Sequence, residues 1–461
     1  MSILSWLKGA IQSLFSANEI TSKFGITPPA DKSMEEAVKL WAECYRNVPP
    51  WAISDSDIHS LNLAYSISHE TARLVTLEFS SEMSGSPRAD YLTETYSTVV
   101  GDSPVWVEYA CALGGVFLKP YICGSRICTD YVQADAAAVS EFDSVGNITG
   151  AVFADRITRG GKYFTRLESH SLKGSSYTVI NKAYVSYVSD NSGTLGREIS
   201  LEAVPEWADI APSAQFDGIK RPLFVYFGMP GANIIDRRSP LGVSVFNAAI
   251  ATIEEADRQF TRGIWEFEGS ELAVYADVTA ISRDAEGNET TPRFNRRLIK
   301  TLDFNKDDAF NVFSPAIREQ SQANGLNGLL RQIERQCGLA FGTLSDVQDT
   351  DKTATEIKAS KQRSYATISA IQGKLQQALT DYAEVLDILC TLYELAPKGS
   401  IEQSFDFDDS LVTDSETEQK IWLQEVSAGL MSPVEYRMRR YGETEEQAAK
   451  KLPETFDSGD K

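Results

Sequence analysis

The longest regular pattern in the chain is a proline-free stretch, Thr353 to Leu395, in which apolar residues recur at helical spacing. At 1.5 Å per residue, a helix of this length would extend about 60 Å, and Gly373 is the position where it would kink. Helices of ordinary globular domains are much shorter. The chain is therefore predicted to contain one very long helix, with apolar positions Ile357, Ile368, Ile371, Leu375, Leu379, Tyr382, Leu386 and Leu389.

An earlier helix is predicted to begin at Ser239-Pro240, because serine is a favoured N-cap and proline is tolerated at the first helical position. It would run over residues 239 to 268. Its apolar residues form a stripe that is interrupted at Asp257, which indicates packing against a partner helix, although an ordinary core helix explains the pattern equally well. The stripe comprises Val243, Phe246, Ile250, Ile253, Phe260 and Ile264.

A small β-rich insert is predicted between two helices. Residues 269 to 315 have β-like spacing, and a second helix is predicted over residues 316 to 341. Residues 342 to 352 form a polar, acid-rich loop that leads into the long helix, residues 353 to 396. The second helix has one apolar side, made of Leu326, Leu330, Ile333 and Cys337.

The first 238 residues predict an α+β domain. Helical spacing dominates residues 33 to 100, with Met34, Ala37, Val38 and Trp41 on one face. Short β-runs divided by Gly, Asn, Asp and Ser then indicate a largely antiparallel sheet, with a tight hairpin at Asp143–Asn147. Residues 397 to 461 predict a short alternating strand and a helical tail.

Composition restricts the function classes. The chain has 44 basic and 65 acidic residues, a net charge of −21, which opposes tight non-specific binding of nucleic acid but is compatible with a protein past which DNA must slide. The six cysteines include no CxxC pair and there are three histidines, so neither a zinc site nor another cofactor is expected. The longest uncharged helical run is too short for a bilayer, so no membrane span is expected.

No catalytic motif is recognised. The Gly-Lys pairs at Gly161 and Gly373 are followed by Tyr and Leu, which argues against a P-loop ATPase. Neither a G-x-S-x-G elbow nor an HExxH motif occurs. The acid pairs Asp55/Asp57 and Asp349/Asp351 have the residue types for acid–base work, but short acidic turns and helix caps are much commoner. We predict no catalytic and no metal residue, and keep a carboxylate-dependent hydrolase as an alternative.

Two polar clusters remain as candidate binding sites. The first is basic and contains no acid, so it would suit DNA phosphate or an acidic protein partner, or be a solvated strand face: Arg293, Arg296, Arg297 and Lys300. The second is the acid-rich loop, in which Asp351 or Thr353 would cap the long helix. Its candidate residues are Ser345, Asp346, Gln348, Asp349, Asp351 and Lys352.

Several stretches, in this order, resemble the portal proteins of tailed bacteriophages of the long-tailed siphophage type. They are LWAECYRNVPPW, SLNLAYSISHETARLVTLEF, VEYACALGGVFLKPYI, EFDSVGNITGAVF, SPLGVSVFNAAIATIEEADRQFTRGIWEFEGSEL and DKTATEIKAS. The resemblance runs nearly end to end. It implies a wing (1–238), two stem helices (239–268 and 316–341), a clip (269–315), a tunnel loop (342–352), a long helix (353–396) and, over 397–461, a wing strand with a short crown-like tail.

The resemblance also implies a function. Portal subunits, twelve to a ring, surround a channel at one capsid vertex through which double-stranded DNA is packaged and ejected. The clip would contact terminase and later the head–tail adaptor, and the wing would contact the major capsid and scaffolding proteins. The protein is then expected in the virion after assembly in the host cytoplasm, with no enzymatic activity. Another head–tail or baseplate structural protein is the alternative within the same class.

Overall fold

The computed structural model of the chain is mixed α+β. The chain divides into two units, Met1–Leu77 with Ser81–Phe405, and Glu78–Ser80 with Asp406–Lys461. The described residues are 17–26, 32–55, 57–188, 194–270, 273–277, 299–302, 310–313, 316–346, 354–407, 422–441 and 445–452.

The larger unit contains nine of the helices that we label. They are α1 (Ala17–Ser22), α2 (Lys32–Tyr45), α3 (Pro50–Ser54), α4 (Leu63–Thr76), α5 (Pro87–Gly101), α6 (Ser103–Leu113), α7 (Ile250–Gly269), α8 (Glu319–Cys337) and α9 (Ala354–Leu392). The predicted face of α2 is confirmed, because Met34, Val38 and Trp41 are buried in one core with residues of α4, α7 and α8. Among the described residues, no helix combines the length and the hydropathy that crossing a bilayer requires.

The strands form several separate sheets. The strands are β1 (Phe79–Ser84), β2 (Gly115–Cys123), β3 (Arg126–Gln133), β4 (Ala137–Phe142), β5 (Ile148–Arg159), β6 (Lys162–Lys173), β7 (Ser176–Tyr187), β8 (Arg197–Ile199), β9 (Ser213–Asp217), β10 (Val225–Gly228), β11 (Ala273–Asp277), β12 (Ile299–Leu302), β13 (Phe310–Phe313) and β14 (Glu402–Phe407). One six-stranded sheet has the order β4-β5-β6-β7-β8, with β9 also paired to β7, and a three-stranded sheet has the order β10-β2-β3. Every pairing in these two sheets is antiparallel, as predicted.

The hairpin between β4 and β5 is also confirmed. Gly146 has φ +96°, the left-handed conformation that glycine adopts without strain. The Asp143 carboxylate accepts the backbone N–H groups of Val145 and Asn147, both at 2.9 Å. The aspartate side chain therefore closes the turn and leaves the positive φ to the glycine alone.

The predicted first helix of the helix pair begins later than expected. Residues 239 to 246 are irregular, a single 3₁₀ turn spans Asn247–Ala249, and α7 starts only at Ile250. A Cβ on Gly242 would lie 2.2 Å from the Gly114 carbonyl oxygen. The backbone at Gly242 therefore passes too close to the backbone at Gly114 for a helix that carries side chains at this position. The Val245 N–H donates to the Cys111 carbonyl instead of entering a helical ladder.

The long helix exists as one element. α9 has 39 residues, about 58 Å at the standard rise, and passes through Gly373 as a single helix. Arg88 fixes its C-terminal end: the guanidinium donates to Asp387 Oδ1 and Thr391 Oγ1, each at 2.6 Å, and to the Ala396 carbonyl at 2.7 Å. These bonds hold the last turns of α9 and the segment after it against α5.

The C-terminal region was predicted only in part. Phe405 and Phe407 of the predicted alternating pattern lie in a strand, β14, which begins one residue after Ile401, and Phe407 stacks on Phe79 with ring centroids 4.9 Å apart. The expected helical tail contains helices α10 (Pro433–Tyr441) and α11 (Glu445–Lys450). β1 itself was not foreseen, because the helical spacing of residues 61 to 79 predicted helix up to its first residue.

A buried charge cluster joins the two larger sheets. Lys119 of β2 is 7% exposed and its Nζ lies 2.6 Å from Glu168 Oε2 of β6. Arg166 Nη2 lies 3.4 Å from the same oxygen, and His170 Nε2 lies 3.0 Å from Glu168 Oε1. Burial raises the pKa of Glu168, but Lys119 and the other donors outweigh it and hold that pKa well below its usual value. The carboxylate is therefore ionised and neutralised where it is buried.

We expect Lys119→Met to lower the free energy of unfolding by about 3 kcal/mol, the low end for breaking a buried pair, because Arg166 and His170 still contact Glu168. Urea denaturation measures this change in the free energy of unfolding. Lys173→Met is the matched control: Lys173 is 76% exposed, 3.4 Å from Glu141, and its loss should cost at most about 1 kcal/mol. Equal effects of the two substitutions would contradict a structural role for the buried cluster.

Candidate functional site

Helices α7 and α8 form an antiparallel pair. Gln259 Nε2 donates to Gln322 Oε1, and further along α7 Glu266 contacts Arg318, an earlier residue of the chain than Gln322. At the other end of the pair, Ile253 and Ile333 are buried in one core with Phe246. The apolar side predicted for α8 is therefore confirmed, and the two helices share their packing.

The end of the pair that adjoins residues 269 to 315 is closed by a bidentate ion pair. Arg318 Nε and Nη2 lie 2.9 Å from Glu266 Oε1 and Oε2, respectively. The Arg318 backbone N–H also donates to Oε1 at 3.1 Å, and Gln322 donates to Oε2 at 2.8 Å. These hydrogen bonds, the Arg318 side chain first, lower the pKa of Glu266 to about 2. The two chain segments that enter and leave residues 269–315 are thus joined at their base.

The pair is attached to the N-terminal helices through two tryptophan side chains. Trp51 Nε1 donates to Asp257 Oδ2 at 2.8 Å, and Trp41 Nε1 donates to Asn247 Oδ1 at 2.9 Å. The Leu61 N–H donates to the other Asp257 oxygen at 2.8 Å. Burial raises the pKa of Asp257, and the hydrogen bonds from Leu61 and Trp51 act in the opposite direction. Asp257, which interrupts the apolar stripe in the sequence, is therefore the attachment point of α7.

The loop after α8 begins on a buried carboxylate. Glu334 is fully buried, and its Oε1 accepts the N–H groups of Gly342, Leu344 and Ser345 at 3.0, 2.6 and 2.8 Å. Its Oε2 accepts the Ser345 hydroxyl at 2.8 Å. Four donors from one short segment thus bind one side chain, and this fixes the first residues of the 342–352 loop to the last turn of α8.

A second contact positions the next residue of the loop. Asn327 Oδ1 accepts the Asp346 N–H at 2.8 Å, and Asn327 Nδ2 donates to the Asp346 carbonyl at 3.2 Å. The Asn327 side-chain amide thus donates to and accepts from the backbone of one loop residue, as a neighbouring β-strand would. The Asp346 side chain is exposed. The described part of the loop therefore ends with an acidic side chain in solvent beside α8.

The predicted site residues are distributed as follows. Ser345 is buried on Glu334 and belongs to the base of the loop, so its hydroxyl is not available to a channel, whereas Asp346 is exposed. Lys300 lies on β12, opposite Tyr275 of β11 in a parallel pairing. The other predicted residues lie outside the described residues: Arg293, Arg296, Arg297, Gln348, Asp349, Asp351 and Lys352.

Sequence reasoning missed Glu334 and the role of Asp257. Asp257 gave a signal, because a carboxylate within an apolar stripe needs buried donors. The sequence gave no signal for Glu334, because a single glutamate next to Ile333 looks the same as a glutamate on the exposed surface of a helix. Both bind donors that the chain brings to them only in the folded state.

Two acid–imidazole contacts among the described residues bear on the hydrolase alternative. One is exposed, with His69 Nδ1 2.8 Å from Glu108 Oε2, and the other is buried. Glu168, His170 and Tyr177 form a carboxylate–imidazole–phenol chain, with Tyr177 Oη 2.6 Å from His170 Nδ1. Burial lowers the pKa of His170, and Tyr177 is fully buried, so substrate has no access to this chain. Asp55 accepts the Asp57 N–H at 3.1 Å in a short acidic turn. In the described ranges, no three His, Cys, Asp or Glu side chains are grouped to hold a metal ion.

No protein-family model matches the chain, and no curated protein matches it significantly. The order of its elements and the geometry of the helix pair and loop are therefore the basis for assigning a function.

We expect Glu334→Ala to release the base of the loop. The N–H groups of Gly342, Leu344 and Ser345 would lose their acceptor, and for the buried Ser345 N–H the loss costs about 1–3 kcal/mol. Hydrogen exchange at Ser345 should therefore accelerate by about tenfold or more, and exchange at the other two should also rise. Hydrogen exchange read by mass spectrometry measures it. Glu319→Ala, which removes an exposed acid at the start of α8, should leave exchange in this segment unchanged. Unchanged protection in Glu334→Ala would show that other contacts hold the loop.

The Glu266–Arg318 pair predicts a pH dependence. The folded-state pKa of Glu266 is about 2 against an ordinary 4.5, so the stabilisation is present above pH 4.5 and is lost as the pH falls towards 2. The unfolding free energy of the wild type should therefore fall more steeply over this window than that of Glu266→Gln. Because Arg318 is 72% exposed, the difference should shrink in 1 M salt. Parallel pH curves for the two proteins would refute this.

Proposed function

We propose that the chain is a portal protein, a subunit of the ring through which DNA enters and leaves the capsid of a tailed phage. The observation on which the proposal rests most is the sequence of elements α7, β-rich insert, α8, anchored loop and α9. In the family that the chain resembles, these are the stem, clip, tunnel loop and long helix. The proposed place of the protein is the portal vertex of the virion.

The attachments of the helix pair support this proposal. A stem must hold its position relative to the wing while DNA moves past it, and α7 is joined to the N-terminal helices by directional bonds from Trp41 and Trp51. The Glu266–Arg318 pair joins the two helices where the β-rich insert begins. A partner bound to the β-rich insert would therefore transmit force to both helices of the pair, because the insert cannot rotate independently of them.

The fixed base of the loop supports the same proposal. Glu334 binds the segment up to Ser345, and Asn327 binds Asp346. A channel loop needs a fixed base if residues beyond it are to contact a moving substrate. Asp346, Gln348, Asp349, Asp351 and Lys352 remain the proposed channel residues, and Arg293, Arg296, Arg297 and Lys300 remain the proposed clip contacts with terminase, adaptor or DNA.

The proposal predicts a ring. The purified full-length chain, or the same protein extracted from virions, should scatter light as a large homo-oligomer, and negative-stain images should show a ring with a central hole of at least about 20 Å, the width of duplex DNA. A strictly monomeric protein at all concentrations and salts, together with virions that contain no such ring, would refute it. A ring without a hole wide enough for the duplex would favour a tail or baseplate component instead.

A further inference from the structure

One face of α8 is polar and contains no acid. Along the side away from α7, exposed or half-buried side chains recur at helical spacing over residues 321 to 335, about 21 Å of helix. We call this set the α8 polar row: Ser321, Asn324, Gly328, Arg331, Gln332 and Arg335. In a chain with a net charge of −21, a row with two arginines and no acid is a local reversal of sign.

The two arginines differ from three arginines on other helices that are paired with an acid of their own helix. Arg73, Arg258 and Arg439 each lie within 2.8 Å of a glutamate three or four residues earlier. Within the described part of the chain, neither Arg331 nor Arg335 has a carboxylate partner. Glu334 is three residues after Arg331, but its oxygens are occupied by the loop. The Arg331 Nε is buried without a hydrogen-bond partner, so the monomer leaves this guanidinium incompletely bound.

The row lies on the side of α8 from which the loop departs. Asn327, which holds Asp346, is three residues after Asn324 and four before Arg331, so it shares their side of the helix. The exposed Asp346, the last described residue of the loop, therefore lies next to the row. The surface that meets a molecule contacting the loop is then also the surface that carries Arg331 and Arg335.

We infer that the α8 polar row contacts the phosphates of double-stranded DNA in the channel, an inference that rests on the proposed portal function. Arg, Asn, Gln and Ser side chains are common phosphate donors, and Gly328 leaves open space in which a phosphate can approach the backbone. A protein partner is disfavoured because the row has no apolar or aromatic side chain, which the centre of a stable protein interface requires.

Two arginines per subunit give contacts that are weak and easily exchanged. Each phosphate neutralised contributes about one unit to the slope of log affinity against log salt. The surrounding acidic chain opposes the additional contacts that would hold DNA in place. The row thus allows the duplex to be guided along α8 without being retained.

The test measures binding of a 30-base-pair duplex to assembled rings, by fluorescence anisotropy, at a series of salt concentrations. Arg331→Gln with Arg335→Gln should weaken binding at low salt and reduce the slope by about 1 or more. The charge-matched control is Arg126→Gln with Arg197→Gln, which removes two exposed arginines from the sheets and should change the slope little. The charge-conserving pair Arg331→Lys with Arg335→Lys should retain most of the wild-type slope.

The outcomes separate this inference from the proposed function. If the wild type forms rings and the Gln pair has the same slope as the control pair, the row does not contact DNA and the inference fails while the portal proposal stands. If the Gln pair no longer assembles but the Lys pair does, the row is a contact between subunits, which also overturns the inference. If the wild type forms no ring under any condition, and virions contain none, the proposed function fails first.

Discussion

The arrangement of the helix pair depends on the buried carboxylate of Asp257. An acid on the inner face of a helix has a large desolvation cost unless fixed donors meet it. Here the Trp51 indole and the Leu61 N–H each bind one oxygen at 2.8 Å. Both donors are directional and come from the N-terminal helical region. A shift of α7 by one turn would leave the carboxylate and both donors unpaired, so this contact selects one register for the helix pair.

Glu334 applies the same principle to the loop. A buried carboxylate that accepts three N–H groups and one hydroxyl makes the backbone from Gly342 to Ser345 a fixed continuation of α8. An apolar side chain of similar size would fill the space but could not orient the chain. The consequence is that the backbone up to Asp346 is held to α8.

Local pattern predicted the elements whose packing faces are continuous. The inward face of α2, the apolar side of α8, the antiparallel strands and the length of α9 were all readable because helices repeat every 3.6 residues and strands every two. Ser239 was misread as a helix start because its local chemistry is that of a cap. The close approach of Gly242 to Gly114 decides the backbone there, and no window of sequence reveals a contact between residues so far apart.

The site was less predictable than the fold for the same reason. The bonds Trp41–Asn247 and Trp51–Asp257 each join residues 206 positions apart. The stretch LWAECYRNVPPW could be noticed as a likeness, but the use of its two indoles depends on where α7 lies. β1 was missed on similar grounds, because Ser81 donates its hydroxyl to the Ser404 carbonyl, 323 positions away. The loop was chosen for its acids, while the residue that fixes it is a glutamate of the preceding helix.

Electrostatics reconciles an acidic chain with the DNA contacts that we propose for the α8 polar row. At ordinary ionic strength, charges more than about 10 Å apart are largely screened, so the net charge of −21 mainly prevents accumulation of DNA on the whole surface. Contacts at the row act within hydrogen-bonding distance, where screening is weak. A duplex held by few local contacts and repelled by the surrounding surface has shallow minima along its path. Under the proposed portal function, the two features of the chain, acidic overall and basic along one face of α8, would serve one requirement: the duplex would be centred and oriented while no single position retained it.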